Sequence, residues 1–236
     1  MMIQTLRVFV DQHNDYGNPL TVLFDTAGWP DALCQSLATA FQTSETVFID
    51  EPRTGRVRIF TPRRKIGFAG HPTVGTAWLL KQRGSSASSL ETDAGTVRTE
   101  ADHATASVFA PASWSAPWRL IQLANLAEVD RASSAGEDRH DYVWCWLDEG
   151  SGRIRARAFT SISGTPEDEA TGSAASCLAD QLGRKITVRQ GLGSIIEAFP
   201  TAAGTVALSG RVTLSSTPPD FDGLLSEELA RLRSSP

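Results

Sequence analysis

Arg56-Val57-Arg58-Ile59-Phe60-Thr61-Pro62, then Ala69-Gly70-His71-Pro72-Thr73-Val74-Gly75 and an apolar run to Leu80, is the stretch on which the fold turns. Polar and apolar residues alternate over 56–60, which predicts a half-buried strand; the glycine-led apolar run after it predicts a helix. The chain says this twice. Arg155-Ala156-Arg157-Ala158-Phe159-Thr160 repeats the strand at an offset of 99 residues. A loop longer by three residues then leads into Ala170-Thr171-Gly172-Ser173 and a helix ending near Leu182. A repeat at nearly half the length of a 236-residue chain implies two similar lobes, because a solenoid needs three or more short units.

Working outward, residues 4–10 and 20–24 read as strands around the turn-prone His13-Asn14-Asp15-Tyr16-Gly17-Asn18-Pro19. Asp31 is a suitable N-cap for a helix with Leu33, Cys34, Leu37, Ala38 and Phe41 on one face, and a short strand follows at Val47-Phe48-Ile49. The helix after Gly70 carries Val74, Ala77, Trp78, Leu79 and Leu80 with little polar surface, so it is expected to be buried on most sides. Its counterpart carries Ala174, Ala175, Cys177, Leu178 and Ala179 and stops at Gly183, a good C-cap residue. Strands are expected after each helix, around Leu90, Val97 and 106–109 in the first half and at 186–191, 194–196 and 206–208 in the second. Residues 142–147 read as an aromatic-rich strand, and 226–233 as a short helix. Residues 110–135, with Pro111, Pro117 and a polar patch from Arg131 to Gly136, are the expected linker. The expected lobes are therefore 1–113 and 114–236, with the boundary inside 110–136.

Composition narrows the function. Hydrophobic residues at 41% and charged residues at 21% describe an ordinary globular protein, and the net charge of −5 argues against nucleic acid or an anionic membrane as partner. No apolar run approaches the roughly 20 residues a membrane span needs, and the N-terminus lacks the form of a signal peptide, so the cytoplasm is the expected location. Cys34, Cys145 and Cys177 are odd in number and far apart, which suits neither a disulfide framework nor a zinc site. His13, His71, His103 and His140 lack metal-ligand spacing, so no metal is expected. Gly191-Leu192-Gly193 lacks the third glycine of a dinucleotide fingerprint, and P-loop and Gly-x-Ser-x-Gly patterns are missing.

Two helix starts remain as the chemically interesting places. A helix N-terminus leaves backbone N–H groups unpaired and carries about half a unit of positive charge. Gly70 and Gly172 would let a small anion approach each start, although the same glycines could simply admit buried helices. Glu45, between small polar residues at a helix-to-strand junction, could be a solvated loop carboxylate or an acid/base group. His71 follows Gly70 directly; Asp168, in Pro166-Glu167-Asp168-Glu169, and Ser173 flank the second start, where either could cap the helix or reach a ligand.

Taken together, Ser44-Glu45-Thr46-Val47-Phe48, Phe60-Thr61-Pro62 with Ala69-Gly70-His71-Pro72-Thr73-Val74-Gly75, and Glu167-Asp168-Glu169-Ala170-Thr171-Gly172-Ser173-Ala174 resemble the phenazine-biosynthesis-like (PhzF-like) family; Gly17-Asn18-Pro19 fits as well. The motifs run in order from Val8 to about Leu214. The resemblance implies an α+β fold like that of diaminopimelate epimerase: two pseudo-symmetric lobes, each a β-sheet rolled around a central α-helix, with the site in the cleft between them. It implies a cofactor-independent isomerase acting on a small anionic carboxylate, commonly as a homodimer. By the same resemblance Glu45 is the acid/base group, His71 and Asp168 complete the catalytic set, and Asn18, Gly70, Gly172 and Ser173 bind substrate. Epimerases of this fold carry a cysteine at each helix start; this chain has Ala69 and Thr171, which excludes a two-thiol mechanism and leaves a one-base one.

The chain departs from the family pattern in three places. Asp168-Glu169 stands where Asp-Pro is usual, Arg63-Arg64-Lys65-Ile66 replaces a segment that usually holds an acidic residue, and residues 117–141 are short. The first and third also fit a second reading, a non-catalytic small-ligand or partner-binding protein on the same scaffold. A third reading is lyase or hydrolase chemistry in the same cleft.

Overall fold

Both copies of the repeated motif are strands, β4 (Arg56–Phe60) and β11 (Arg153–Thr160), each followed in the chain by a buried helix, α2 (Gly70–Gln82) and α4 (Gly172–Leu182). The structure, a computed structural model, describes residues 2–41, 43–134, 139–160, 165–202, 204–215 and 221–234. The rest of the first half is β1 (Met2–Val10), β2 (Asn18–Phe24), α1 (Asp31–Phe41), β3 (Glu45–Glu51), β5 (Lys65–Ile66), β6 (Ser89–Thr92), β7 (Gly95–Ala101) and β8 (Thr105–Pro111). After a 3-10 turn at Ala112–Trp114 come β9 (Arg119–Gln122), α3 (Leu126–Arg131), β10 (Asp141–Asp148), β12 (Thr165–Asp168), β13 (Ile186–Gln190), β14 (Ser194–Ala202), β15 (Thr205–Leu214) and α5 (Phe221–Ser234).

The pairing order recurs in the two halves. β2 runs parallel to β3, β3 antiparallel to β4, and β4 pairs antiparallel with β5 and parallel with β6. In the second half β9 runs parallel to β10, β10 antiparallel to β11, and β11 pairs antiparallel with β12 and parallel with β13. The two motif arginines 99 residues apart hold equivalent places. Arg58 donates to Asp50 at 2.8 and 2.9 Å and to Asp31 at 2.6 Å, tying the start of α1 to the sheet. Arg157 donates to Glu167 at 2.6 and 2.7 Å and to the Ala132 carbonyl at 2.6 Å, just past α3.

β1 pairs with both β2 and β15, and β15 pairs with β8, so β1-β2-β3-β4-β6-β7-β8-β15 closes into a barrel. α2 fills it, and every residue from Gly70 to Leu80 is buried, as an apolar helix without a polar face requires. Val74 and Leu79 pack there with Leu6, Val8, Leu20, Val97 and Val108. α4 packs on β14 and β15, and its C-terminus turns at Gly183 with φ +63. The sheet beyond β14 stays open at β9.

The expected linker is folded. Residues 119–122 form β9 and 126–131 form α3, whose Asn125 side chain accepts from the Glu128 N–H at 3.0 Å while Glu128 accepts from the Ala124 N–H at 3.1 Å. This reciprocal cap supports a helix too short for hydrophobic periodicity to reveal. The part of the polar patch over residues 135–136, and the first residues of the longer second loop, lie outside the described residues. The expected C-terminal helix is longer than its sequence signal, and α5 packs on α1. Among the described residues no helix is long and apolar enough to cross a membrane.

Candidate active site

The N-termini of α2 and α4 meet. A Cβ added to Gly70 would stand 3.1 Å from the Gly172 Cα, and one added to Gly172 would stand 3.3 Å from the Gly70 Cα. Both would also press on a Leu208 methyl, at 2.6 and 2.5 Å. The glycines are therefore needed for close approach of two backbones. Neither start has a side-chain cap: Ala69 and Thr171 precede the helices without capping hydrogen bonds. Two positive helix ends thus meet without side-chain caps, an arrangement that is mutually repulsive.

Glu45 is the first residue of β3, and its pairing with Leu20 sets it beside the start of β2. Its Oε2 lies 3.3 Å from His71 Nε2, with 17% of the Glu45 side chain and 5% of the His71 side chain exposed. Neither atom makes a hydrogen bond of acceptable geometry, so the two face one another as a close but unbonded pair. Burial pushes the Glu45 carboxyl up to about 8, and the nearby Asp168 charge adds to the shift. Burial drives the His71 ring down to about 3, against an opposing hydrogen bond to the Pro19 carbonyl. A neutral ring that donates to Pro19 has its proton on the far nitrogen, so a lone pair on Nε2 faces Glu45. At neutral pH the pair is a neutral acid beside a neutral imidazole.

Asp168 ends β12 and accepts hydrogen bonds from Asn18 Nδ2 and the Thr171 hydroxyl, both at 2.7 Å. Burial raises its carboxyl to about 6, which these two hydrogen bonds moderate and the Glu169 and Glu167 charges reinforce. Asn18 also donates to the Ala170 carbonyl at 3.0 Å and accepts from the Ser44 hydroxyl at 2.9 Å, so it bridges the residue before Glu45 to the residues before Gly172. Behind Thr171, Gln190 donates to the Thr171 hydroxyl at 2.8 Å and to the Asp168 carbonyl at 2.9 Å, and accepts from the Tyr142 hydroxyl at 3.1 Å. Asn18, Gln190 and Tyr142 are all but fully buried, so their satisfied polar groups hold one geometry.

Ser173 does not cap α4; its hydroxyl accepts from the Trp118 indole N–H at 3.1 Å. Trp118 in turn lies against His140 and Tyr142, with ring centroids 4.9 and 6.1 Å apart. Asp168 does not cap the helix either, since its carboxylate is taken by Thr171 and Asn18. All seven candidate residues therefore gather around the two helix ends: Glu45 with His71, Gly70 with Gly172, Asn18 with Asp168, and Ser173 one residue beyond Gly172. Gln190, Tyr142 and Trp118 carry no local signal of their part in it, because each reaches the site only through tertiary contacts. Two surface cavities of about 380 and 690 Å³ lie beside the site, the first lined by Asp130, Arg155, Arg157, Glu167, Glu169 and Leu192, the second by Tyr16, Arg189, Gly193 and Arg211. Among the described residues no cluster of His, Cys, Asp and Glu could hold a metal ion.

The model of the phenazine biosynthesis-like protein family matches residues 6–137, more than half of the chain. A trans-2,3-dihydro-3-hydroxyanthranilate isomerase of Pseudomonas fluorescens is 32% identical over 209 residues, covering 71% of this chain and 75% of that protein. The isomerase of the same name from Pseudomonas chlororaphis is 30% identical over 250 residues, covering 84% and 90%. Among solved structures, a PhzC/PhzF protein of Clostridium difficile superposes with a TM-score of 0.73 at 20% identity, over 91% of this chain and 96% of that one. A probable proline racemase of Agrobacterium radiobacter superposes with a TM-score of 0.57 at 12% identity, over 94% of each chain, so that likeness concerns the fold alone. The chain belongs to the phenazine biosynthesis-like family and is an isomerase of it.

Proposed function

We propose that the chain is a cofactor-independent isomerase that moves a proton on a small carboxylic acid, with Glu45 as its single acid/base group. The fold is read as two pseudo-symmetric lobes, 1–113 and 114–236, each a sheet around one helix, β15 of the second completing the sheet around α2, with the substrate between α2 and α4. The recurring strand order and the contact between Gly70 and Gly172 support this reading. The relatives' names make trans-2,3-dihydro-3-hydroxyanthranilate the first compound to test. A homodimer in the cytoplasm is the expected setting.

The observation that carries the proposal is a buried carboxyl raised to about 8 whose Oε2 has no hydrogen-bond partner, beside two uncapped helix ends. In its ionised form Glu45 would take a proton from carbon next to a conjugated system and return it to another carbon on the same face. The substrate carboxylate would lie on the helix ends, whose N–H groups are already oriented where negative charge grows. His71 and Asp168 would orient the substrate's polar groups, and Asn18 would hold Asp168 in place. Glu169 gives no ground for excluding an anionic substrate, since its carboxylate is bound to the Leu192 N–H and the Ser194 hydroxyl.

The test is turnover in deuterated water. Wild type should place solvent deuterium in the product, with kcat/KM rising with pH through about 8 as Glu45 ionises. Glu45→Gln should lose about 100-fold or more of both turnover and label while still binding the acid. Undiminished label in the Gln variant would remove Glu45 from the role.

A further inference from the structure

Glu169 and the Gly191-Leu192-Gly193 turn have no part in the chemistry above, yet they are joined to it at close range. The Glu169 carboxylate accepts from the Leu192 N–H at 2.9 and 3.1 Å and from the Ser194 hydroxyl at 2.7 Å. Ser194, fully buried, accepts in turn from the Gly17 N–H at 2.9 Å. Both glycines of the turn are explained by what lies on them. A Cβ at Gly191, where φ is +57, would stand 2.1 Å from Glu169 Oε2, and a Cβ at Gly193 would stand 2.4 Å from the Tyr16 ring.

Three segments far apart in the chain thus close a triangle. Residues 16–18 meet residues 168–170 through Asn18, which donates to Asp168 and to the Ala170 carbonyl. Residues 168–170 meet residues 191–194 through Glu169. Residues 191–194 return to 16–18 through Ser194 on Gly17 and Gly193 on Tyr16. Two corners of the triangle are the residues immediately before Asn18 and immediately after Asp168.

From this geometry we infer that Glu169 is a positioning residue: through Ser194 and Gly17 it holds Asn18 against Asp168 before any substrate arrives. The inference deepens the isomerase reading and rests on it for its functional meaning. Physically, a charged acceptor that binds one N–H and one hydroxyl makes stronger hydrogen bonds than a neutral one, and a fixed acid geometry spares the enzyme reorganisation during turnover. Glu169 also acts on Asp168 through its charge. The groups acting on Asp168 are Asn18 and Thr171, which favour its ionised form, and the Glu169 and Glu167 carboxylates, which oppose it; Glu45, whose own carboxyl is raised by the Asp168 charge, is neutral where Asp168 titrates.

Glu169→Ala, Glu169→Gln and Ser194→Ala, made in the full chain, test this by amide exchange and by carbon-13 titration of the Asp168 carboxyl. The Gly17 amide touches Ser194 and not Glu169, so a purely local role for Glu169 leaves it unmoved. Glu169→Ala should speed Gly17 exchange about tenfold or more, and Ser194→Ala should do the same. Glu169→Gln, which keeps an acceptor for Ser194, should hold Gly17 exchange within about threefold of wild type and lower the Asp168 midpoint by removing a like charge. Should Glu169→Ala fail to fold, Glu169→Gln carries the test through the Asp168 midpoint. Gly17 exchange unchanged in folded Glu169→Ala, or an Asp168 midpoint unmoved in Glu169→Gln, would overturn the inference. These readouts need no substrate, so wild-type inactivity toward every acid tried would count against the isomerase reading and leave this one standing.

Discussion

Glu45 and His71 are both held in their neutral forms by burial, and that has opposite consequences for stability. For Glu45 the ordinary value of 4.5 is raised to about 8 in the fold. Between those values the unfolded chain has released a proton that the native state keeps, so the stability contributed by the neutral acid is complete below 4.5 and lost as pH rises to about 8. Gln at position 45 is neutral at every pH. Glu45→Gln should therefore match wild type near pH 4 and exceed it at pH 8 by a few kcal/mol at most, roughly the linkage expected of one such carboxyl, as read by urea unfolding at both pH values. For His71 the ring is lowered from 6.5 to about 3, so its contribution is complete above 6.5 and lost as pH falls toward 3. A gap that did not grow with pH would mean that Glu45 is ionised in the native protein. At this scale the sequence named Glu45, His71, Asp168 and Asn18 through their motifs. It was silent on Gln190, Tyr142 and Trp118, which approach from strands and loops tens of residues away.

At the scale of elements, the close approach of α2 and α4 is the feature most open to attack. Alanine is the better helix former, by about 1 kcal/mol relative to glycine inside a helix. Propensity alone therefore favours Gly70→Ala and Gly172→Ala. Packing opposes it: the new methyl of either variant meets the partner helix's backbone at 3.1 or 3.3 Å and a Leu208 methyl at 2.6 or 2.5 Å. The leucine can rotate away, but the backbones can only separate, and overpacking of this kind costs about 1–3 kcal/mol. Both variants should lose stability despite their propensity, by thermal unfolding, and should lose turnover of the acid about tenfold or more as the two sets of N–H groups move apart. α2, α4, β4 and β11 were legible because each is long enough to show its period. β9 and α3, of four and six residues, are not. Their segment reads as a linker until β10 supplies a partner and Asn125 and Glu128 supply a cap.

For the whole molecule, β15 matters most. It follows all the other strands, yet it pairs with β8 and β1 and closes the barrel around α2. The fragment 1–113 lacks it, leaving β1 and β8 with open edges and the α2 core uncovered on one side. That fragment alone should show no cooperative thermal transition by circular dichroism and should recover one when 114–236 is added; independent folding of 1–113 would contradict this account of the barrel. By itself the sequence determined the longer elements, the internal repeat, the helix starts and the family motifs, because these depend on local periodicity, on glycine and on residues read in order along the chain. The tertiary structure alone decided that the two helix ends touch, that Glu45 is buried deeply enough to stay protonated near neutral pH, and that Glu169 turns toward Leu192 and Ser194. Those outcomes depend on desolvation and on distances between segments as far apart in the chain as Gly70 and Gly172, and no local pattern encodes either one.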